Sequence, residues 1–355
     1  MALVLILAAA IWGIGTLAGA PRRVRYVMIG CLWLGVILLH LILPAGHALR
    51  MATGESAALW LMLGGAVAMI WVYAQVLRRL KTRAETQVSE SEPAKPAGFF
   101  SPSELERYAR HIVLREVGGP GQKRLRQARV LVIGAGGLGA PVLTYLAAAG
   151  VGTIGVIDDD EVANSNLQRQ VIFRSDDIGK PKVFAAEAAL RALNPHIEVR
   201  SYHRRLTEEI AAQLFADYDM VLDGTDNFET RYLTNRAAVM AKIPLVSGAI
   251  AQWEGQLSVF DPANDAPCYQ CIFPQAPAEG LAPSCAEAGV MGPLPGVIGA
   301  MMAGEAIKLI TGAGAPLKGE MLIYDALYGE SRKFTLSRRA DCPICGEDGP
   351  DVIKV

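Results

Sequence analysis

Arg129-Val-Leu-Val-Ile-Gly134-Ala-Gly136-Gly137-Leu-Gly139 decides the fold. A run of β-branched and aliphatic residues leads straight into four glycines, and an apolar, alanine-rich stretch continues to Gly150. Strand, glycine turn and helix in that order form the setting in which a G-x-G-x-x-G pattern carries meaning. Gly134 permits the tight turn, Gly136 lets a phosphate approach the backbone, and Gly139 lets the helix pack close to the sheet. A phosphate then rests on the amide groups and the positive dipole end of the helix beginning near Leu138. The pattern does not say which nucleotide binds, and a ligand-free glycine-rich turn reads the same way.

Working outward, Gly152-Thr-Ile-Gly-Val-Ile157-Asp158 reads as a second strand ending in acids. Asp158 lies 19 residues beyond Gly139, where a dinucleotide fold places its ribose carboxylate. Asp159 and Asp160 share the local signal. Further along, the pattern predicts helices over 182–193, 208–215 and 229–241, with strands over 196–202, 220–223 and 244–250. This alternation predicts an α/β fold, a Rossmann-like, doubly wound, mostly parallel sheet. Upstream, Ser101-Pro-Ser-Glu104 reads as a capping box opening a helix over 104–116.

Three polar clusters fall at strand ends, where ligands of such sheets bind. They are Asn164-Ser165-Asn166-Leu167-Gln168-Arg169-Gln170, then Gly179-Lys180-Pro-Lys182, then Asp223-Gly-Thr-Asp226-Asn227. Cations neutralise phosphate charge growing on a leaving group, and Asp226 suits a magnesium ion. The set therefore fits a nucleoside triphosphate better than a nicotinamide, although Arg169 or Lys182 alone reads as a solvated surface charge. No G-x-x-x-x-G-K-[ST] run is present, which excludes a P-loop.

Cys268-Tyr-Gln-Cys271 and Cys342-Pro-Ile-Cys345 form two C-x-x-C knuckles. In a reducing compartment such a set reads as a structural zinc site tying the tail to the body, with a redox pair or coincidence as the rival. Cys285 suits a thiol acceptor or an incidental cysteine.

The first eighty residues differ from the rest. They hold Arg22, Arg23, Arg25, Arg50, Arg78 and Arg79 against Glu55 alone, a net +5 in a chain of net −1, so the remainder carries −6. Nothing in that acidic body resembles a basic nucleic-acid surface. Uncharged stretches over 2–20, 26–46 and 57–77 predict three transmembrane helices. The basic connectors at 21–25 and 78–83 put the large body in the cytoplasm. A cleaved signal peptide ending near Ala20 is the rival, although no positive n-region precedes it. The expected division is a membrane region over 1–80, a flexible linker over 81–99, a catalytic domain over 100–340, and a zinc knuckle with tail over 341–355.

Together, Gly134–Gly139, Asn166-Leu-Gln-Arg-Gln170, Thr225-Asp-Asn227, both knuckles and Glu287-Ala-Gly-Val-Met-Gly-Pro293 resemble the adenylyltransferases that activate ubiquitin-like sulfur carriers. The likeness is to the molybdopterin-synthase branch first and the thiamin branch second, and it runs from about Leu105 to Gly346. It implies attack of a carrier's C-terminal glycine carboxylate on the α-phosphate of ATP, giving an acyl adenylate and pyrophosphate. Carried onto matching positions, Gly137 sits against the phosphates, Asp158 meets the ribose, and Ser165, Asn166, Leu167, Gln168 and Arg169 line the nucleotide site, with Arg169 on the phosphates. Lys182 steadies the α-phosphate, and Asp226 holds magnesium with Asn227 beside it. Arg110 reaches into a second subunit, which implies a homodimer, and Cys285 matches a cysteine that links covalently to the carrier in some relatives. The membrane segment departs from that family. The competing readings are a dehydrogenase, a relative acting on a tRNA-bound carboxylate like the threonylcarbamoyladenosine dehydratases, and an inactive membrane scaffold. Against the dehydrogenase, His111, His196 and His203 show no proton-donor arrangement. Against the scaffold, Arg169, Lys182 and Asp226 are all present.

Overall fold

The computed structural model describes residues 2–44, 46–54, 56–91 (backbone alone from 80), 98–278 and 288–346. The chain forms two compact units, Met1–Pro96 and Ala97–Val355. Cys285 lies outside the described residues.

The first unit holds α1 (Ala2–Leu17), α2 (Arg22–Ile42), α3 (Ala48–Thr53) and α4 (Ala57–Ser91). In a bundle with so many apolar side chains facing outward, the few polar groups pair internally. Thr53 Oγ1 lies 3.1 Å from His40 Nε2, Trp60 Nε1 donates to the Thr53 carbonyl at 3.0 Å, and Trp33 Nε1 donates to the Trp60 carbonyl at 3.0 Å. By length and composition, α2 and the Ala48–Arg79 stretch are long and apolar enough to cross a membrane. With 16 residues, α1 is shorter than the expected first span. At about 1.5 Å per residue it covers roughly 24 Å of a core about 30 Å thick. In the expected linker, α4 continues to Ser91, because Leu, Lys, Arg, Ala, Glu and Gln favour helix whether or not they are apolar.

In the second unit, the capping box forms as predicted: the Ser101 hydroxyl accepts from Glu104 N, and the Glu104 carboxylate accepts from Ser101 N. The helix expected over 104–116 is broken into α5 (Pro102–Arg107) and α6 (Ala109–Ile112), followed by α7 (Gly118–Gln127). The break falls at Tyr108, whose ring is buried and whose hydroxyl accepts from Asn194 Nδ2 at 2.8 Å.

Next come β1 (Arg129–Ile133), α8 (Gly139–Ala149), β2 (Thr153–Ile157), α9 (Lys182–Leu193), β3 (Glu198–Tyr202) and α10 (Glu208–Ala216). They are followed by β4 (Met220–Asp223), α11 (Phe228–Ala241), β5 (Leu245–Ala251), β6 (Glu254–Phe260), α12 (Tyr269–Ile272), α13 (Pro293–Thr311), β7 (Glu320–Asp325) and β8 (Glu330–Thr335). The strands form one sheet in the order β3-β2-β1-β4-β5-β6-β7-β8. The first five are parallel, as predicted, and β6, β7 and β8 add antiparallel, so the sheet is mixed. From β1 the chain moves outward to β2 and β3 and then returns to place β4 on the other side. That reversal opens a crevice at the carboxyl ends of β1 and β4.

Strand period two divides the core. Val130 and Val132 of β1 face a cluster with residues from α8, α9 and α13, while Leu131 and Ile133 face one with residues from α10 and α11. The third helix with the length and composition of a span is α13, and it packs inside this unit against α8, β5 and β6.

The turn between β1 and α8 is set by contact. Gly134 has φ +87°, and a Cβ on Gly139 would overlap the Gly134 carbonyl. We expect Gly139→Ala to cost on the order of 3 kcal/mol and so lower the melting temperature of the second unit by about 6–12 °C. Gly304→Ala, inside α13 with nothing within 4 Å of a new Cβ, should instead raise it by about 1–4 °C. Thermal circular dichroism of the detergent-solubilised chain checks both.

Candidate active site

The crevice is a cleft of about 1630 Å³. On its floor Gly134 N donates to the Ile157 carbonyl at 2.9 Å, continuing the sheet ladder by one step. The Asp158 carboxylate then accepts from Ala135 N at 2.7 Å and from Asp160 N at 2.8 Å. Burial pushes the Asp158 carboxyl above its ordinary value, while the Lys182 ammonium and the two backbone donors oppose the shift. For an acid raised in the folded state, the sign is a cost. The stability penalty is absent at low pH, builds as pH rises above the ordinary carboxylate value of the unfolded chain, and is complete above the folded value.

Lys182 opens α9 with its ammonium almost fully buried and paired at 2.7 Å to the Asp160 carboxylate, which is largely exposed. Its backbone N donates to the Asp160 carbonyl at 2.9 Å, so the acidic turn grips the lysine at both ends. Arg169 arches back so that Nη1 donates to the Ser165 carbonyl at 3.0 Å, and its Cδ lies near Gly137. Asp226 is exposed on the cleft wall, with no hydrogen bond or ion pair recorded among the described residues. Asn227 accepts from Thr230 N at 2.9 Å and so caps α11.

The cleft therefore brings together Gly134, Gly136, Gly137, Asp158, Asn166, Arg169, Lys182, Asp226 and Asn227. It does not bring in every residue the sequence suggested. Gly139 sits behind the turn. Leu167 packs against the core, Gln168 Nε2 reaches the Val290 carbonyl at 3.5 Å, and Ser165 offers its carbonyl to Arg169. Arg110, on α6, lies off the cleft.

Arg231 went unread in the sequence. It is buried, donating to Ser247 Oγ at 3.3 Å, to the Gly248 carbonyl at 2.8 Å and to the Thr225 carbonyl, with the buried Asp223 carboxylate 3.9 Å away. Asp223 in turn accepts from Thr225 N and Thr225 Oγ1 at 2.9 and 2.7 Å. One guanidinium thus fixes the turn that presents Asp226. Its signal was position: it stands four residues after the cap Asn227, one turn into α11.

Away from the cleft, the four cysteines converge. Cys268, Cys271, Cys342 and Cys345 are buried, and their sulfurs all lie within 4.8 Å of one another. Neighbouring sulfurs are 3.9, 3.6 and 3.3 Å apart. A tetrahedral ion with metal–sulfur bonds of about 2.3 Å sets them about 3.8 Å apart, so the set fits. Asn235 Nδ2 donates to Cys268 Sγ at 3.7 Å and Arg339 N to Cys271 Sγ at 3.5 Å, which favours thiolates.

The model of the ThiF family matches residues 108–344. The chain belongs to the ThiF family, and the resemblance read from the motifs holds. The sulfur carrier protein adenylyltransferase of Thermus thermophilus is 51% identical over 253 residues, 70% of this chain and 93% of that protein. The mouse adenylyltransferase and sulfurtransferase MOCS3 is 45% identical over 256 residues, 72% of this chain and 55% of that protein. Among solved structures, the microcin C7 biosynthetic enzyme MccB in complex with N-formylated MccA aligns with a TM-score of 0.61 at 25% identity. It covers 69% of this chain and 77% of MccB.

Removing the Arg231 side chain leaves Asp223 buried without its cation. Arg231→Ala should cost about 3–5 kcal/mol, measured by chemical denaturation of the detergent-solubilised chain.

Proposed function

We propose that this protein is an ATP-dependent adenylyltransferase that activates the C-terminal glycine carboxylate of a ubiquitin-like sulfur carrier. The carrier is the small subunit of molybdopterin synthase, in molybdenum cofactor biosynthesis. The observation that carries the reading is the convergence of Asp158, Arg169, Lys182 and Asp226 on one cleft at the switch point of the sheet. The names of the relatives support the reaction class.

In the proposed reaction, a carrier carboxylate oxygen forms a bond to the α-phosphorus, and the bond from that phosphorus to the bridging oxygen of pyrophosphate breaks. The bridging oxygen keeps the electron pair, so the cleft must hold growing negative charge. Arg169 and Lys182 are its cations, and the glycine turn offers amide donors at the start of α8. Asp158 accepts from the ribose hydroxyls. A magnesium ion held by Asp226 would neutralise phosphate charge. The carrier supplies the nucleophile, so the protein's own part is orientation and charge.

Arg110, lying off its own cleft, serves the neighbouring subunit in a homodimer. The four cysteines hold a structural zinc ion that ties the 342–345 segment to the body. The helices of the first unit anchor the enzyme as a multi-pass membrane protein with its catalytic unit in the cytoplasm, for which the basic connectors argue. The acidic body gives no support to a nucleic-acid partner.

Carrier-dependent ATP–pyrophosphate exchange tests the reaction. Exchange should appear with a molybdopterin-type carrier and fall by a factor of about 10²–10³ or more in Asp226→Ala and Lys182→Met. Exchange with a thiamin-type carrier alone would reassign the pathway. No exchange with either, from folded zinc-loaded protein, would remove the sulfur-carrier reading in favour of the tRNA-acting relative.

A pH series gives a second check. The ribose needs an ionised acceptor and the Asp158 carboxyl is raised by burial. ATP affinity should therefore weaken on acidification, starting above the ordinary carboxylate range. Asp158→Asn should bind weakly with that acid limb gone, as read by calorimetric titration.

A further inference from the structure

We propose that the first unit carries a binding surface for anionic phospholipid headgroups, built from arginines at one end of its helix bundle. The inference rests on the membrane reading above and says which lipids that membrane must contain.

Arg22, Arg23 and Arg25 occupy the first turn of α2, and Arg78 and Arg79 stand toward the end of α4. Packing brings the two groups to the same end. His40 meets Thr53, Trp33 meets the Trp60 carbonyl, and Gly64 lies against the Trp33 ring. Residue numbers fall along α2 as they rise along α4, so the two helices run antiparallel. Arg22 is eleven residues before Trp33, which puts it level with a point eleven residues beyond Gly64, three short of Arg78. Five arginines therefore stand at that end, and Lys81, Arg83 and Glu85 follow in sequence. Glu55 is the only acid before Glu85 in sequence, and it lies outside the described residues. Arg50 is at the far end, where it donates to the Leu43 carbonyl at 2.9 Å.

Local structure sharpens the need for an anion. Arg25 folds back to donate to Thr16 Oγ1 at 2.6 Å, with its guanidinium 4.8 Å from the centre of the Trp12 ring. Arg22 and Arg23 are exposed, and no acid is paired with either among the described residues. Both sit at the positive end of the α2 dipole, with no side-chain cap from Pro21, so dipole and side chains repel one another until an anion arrives. A soluble anion would satisfy the charge. We commit to a lipid phosphate because the arginines flank apolar helix surfaces at the depth where headgroups lie.

The test uses the full chain in nanodiscs of phosphatidylcholine with and without phosphatidylglycerol. Retained lipid is counted by native mass spectrometry and stability by thermal melting. The expected result is enrichment of phosphatidylglycerol over its share of the bilayer and a higher melting temperature when it is present. Arg22→Gln with Arg23→Gln should weaken retention by about fivefold per charge, about thirtyfold in all. If that variant does not fold, a salt series on the wild type decides. Selection lost at high salt supports the proposal, and selection that persists overturns it. Equal retention of both lipids also overturns it. So does stabilisation by inorganic phosphate or pyrophosphate without lipid selection, which would make this a soluble-anion site. Carbonate extraction that frees the chain into the supernatant would instead remove the membrane reading itself.

Discussion

The two backbone hydrogen bonds accepted by the Asp158 carboxylate, from Ala135 and from Asp160, hold the nucleotide end of this fold together. One donor belongs to the glycine turn after β1 and the other to the acidic turn after β2. A single side chain therefore fixes the spacing between the glycine turn and the acidic turn. It also places the Asp160 backbone and carboxylate, and those grip Lys182. The burial that makes this bracket rigid raises the cost of its charge, and the nearby ammonium offsets part of that cost. A rigid, partly desolvated charge array suits chemistry whose demand is placement and neutralisation rather than covalent attack.

A second bracket works across β4 and β5. Arg231 donates to the Thr225 carbonyl in the turn after β4 and to the Gly248 carbonyl in β5 and sits beside the buried Asp223, so the Asp226 turn has little freedom to sag into the cleft. Far from either, the cysteine tetrad joins two knuckles 74 residues apart in sequence. Among the described residues, the 342–346 segment has few buried apolar side chains of its own beyond its cysteines, so the four converging cysteines are its main attachment to the body. A metal there would close a long loop, which is where a cross-link removes the most chain entropy.

The N-terminal unit follows different rules. Its exposed face is apolar along most of α4, and its polar contacts are short internal bonds of indole, imidazole and hydroxyl groups. Helical hydrogen bonding continues through α4 after the apolar pattern ends, so hydropathy marks the apolar stretch better than it marks the end of a helix.

The sequence by itself determined the parallel half of the sheet, the glycine turn, the acid at the end of β2, the polar clusters that carry Arg169 and Lys182, and the cysteine set. Each depends on local signals: period-two alternation, glycines that only a tight turn explains, polar clusters at strand ends, and knuckle spacing. Tertiary structure alone decided the rest. β8 is exposed along its whole length and carries mixed charge, so no buried face imprinted a period on Glu330–Thr335. α13 is apolar around much of its surface because neighbours cover it on several sides, so composition alone classes it with the candidate spans of the first unit. Arg231 reads as one more charged residue on a helix until β5 is laid beside it. Such residues are chosen by contacts between distant segments, and those contacts exist only once the chain has closed on itself.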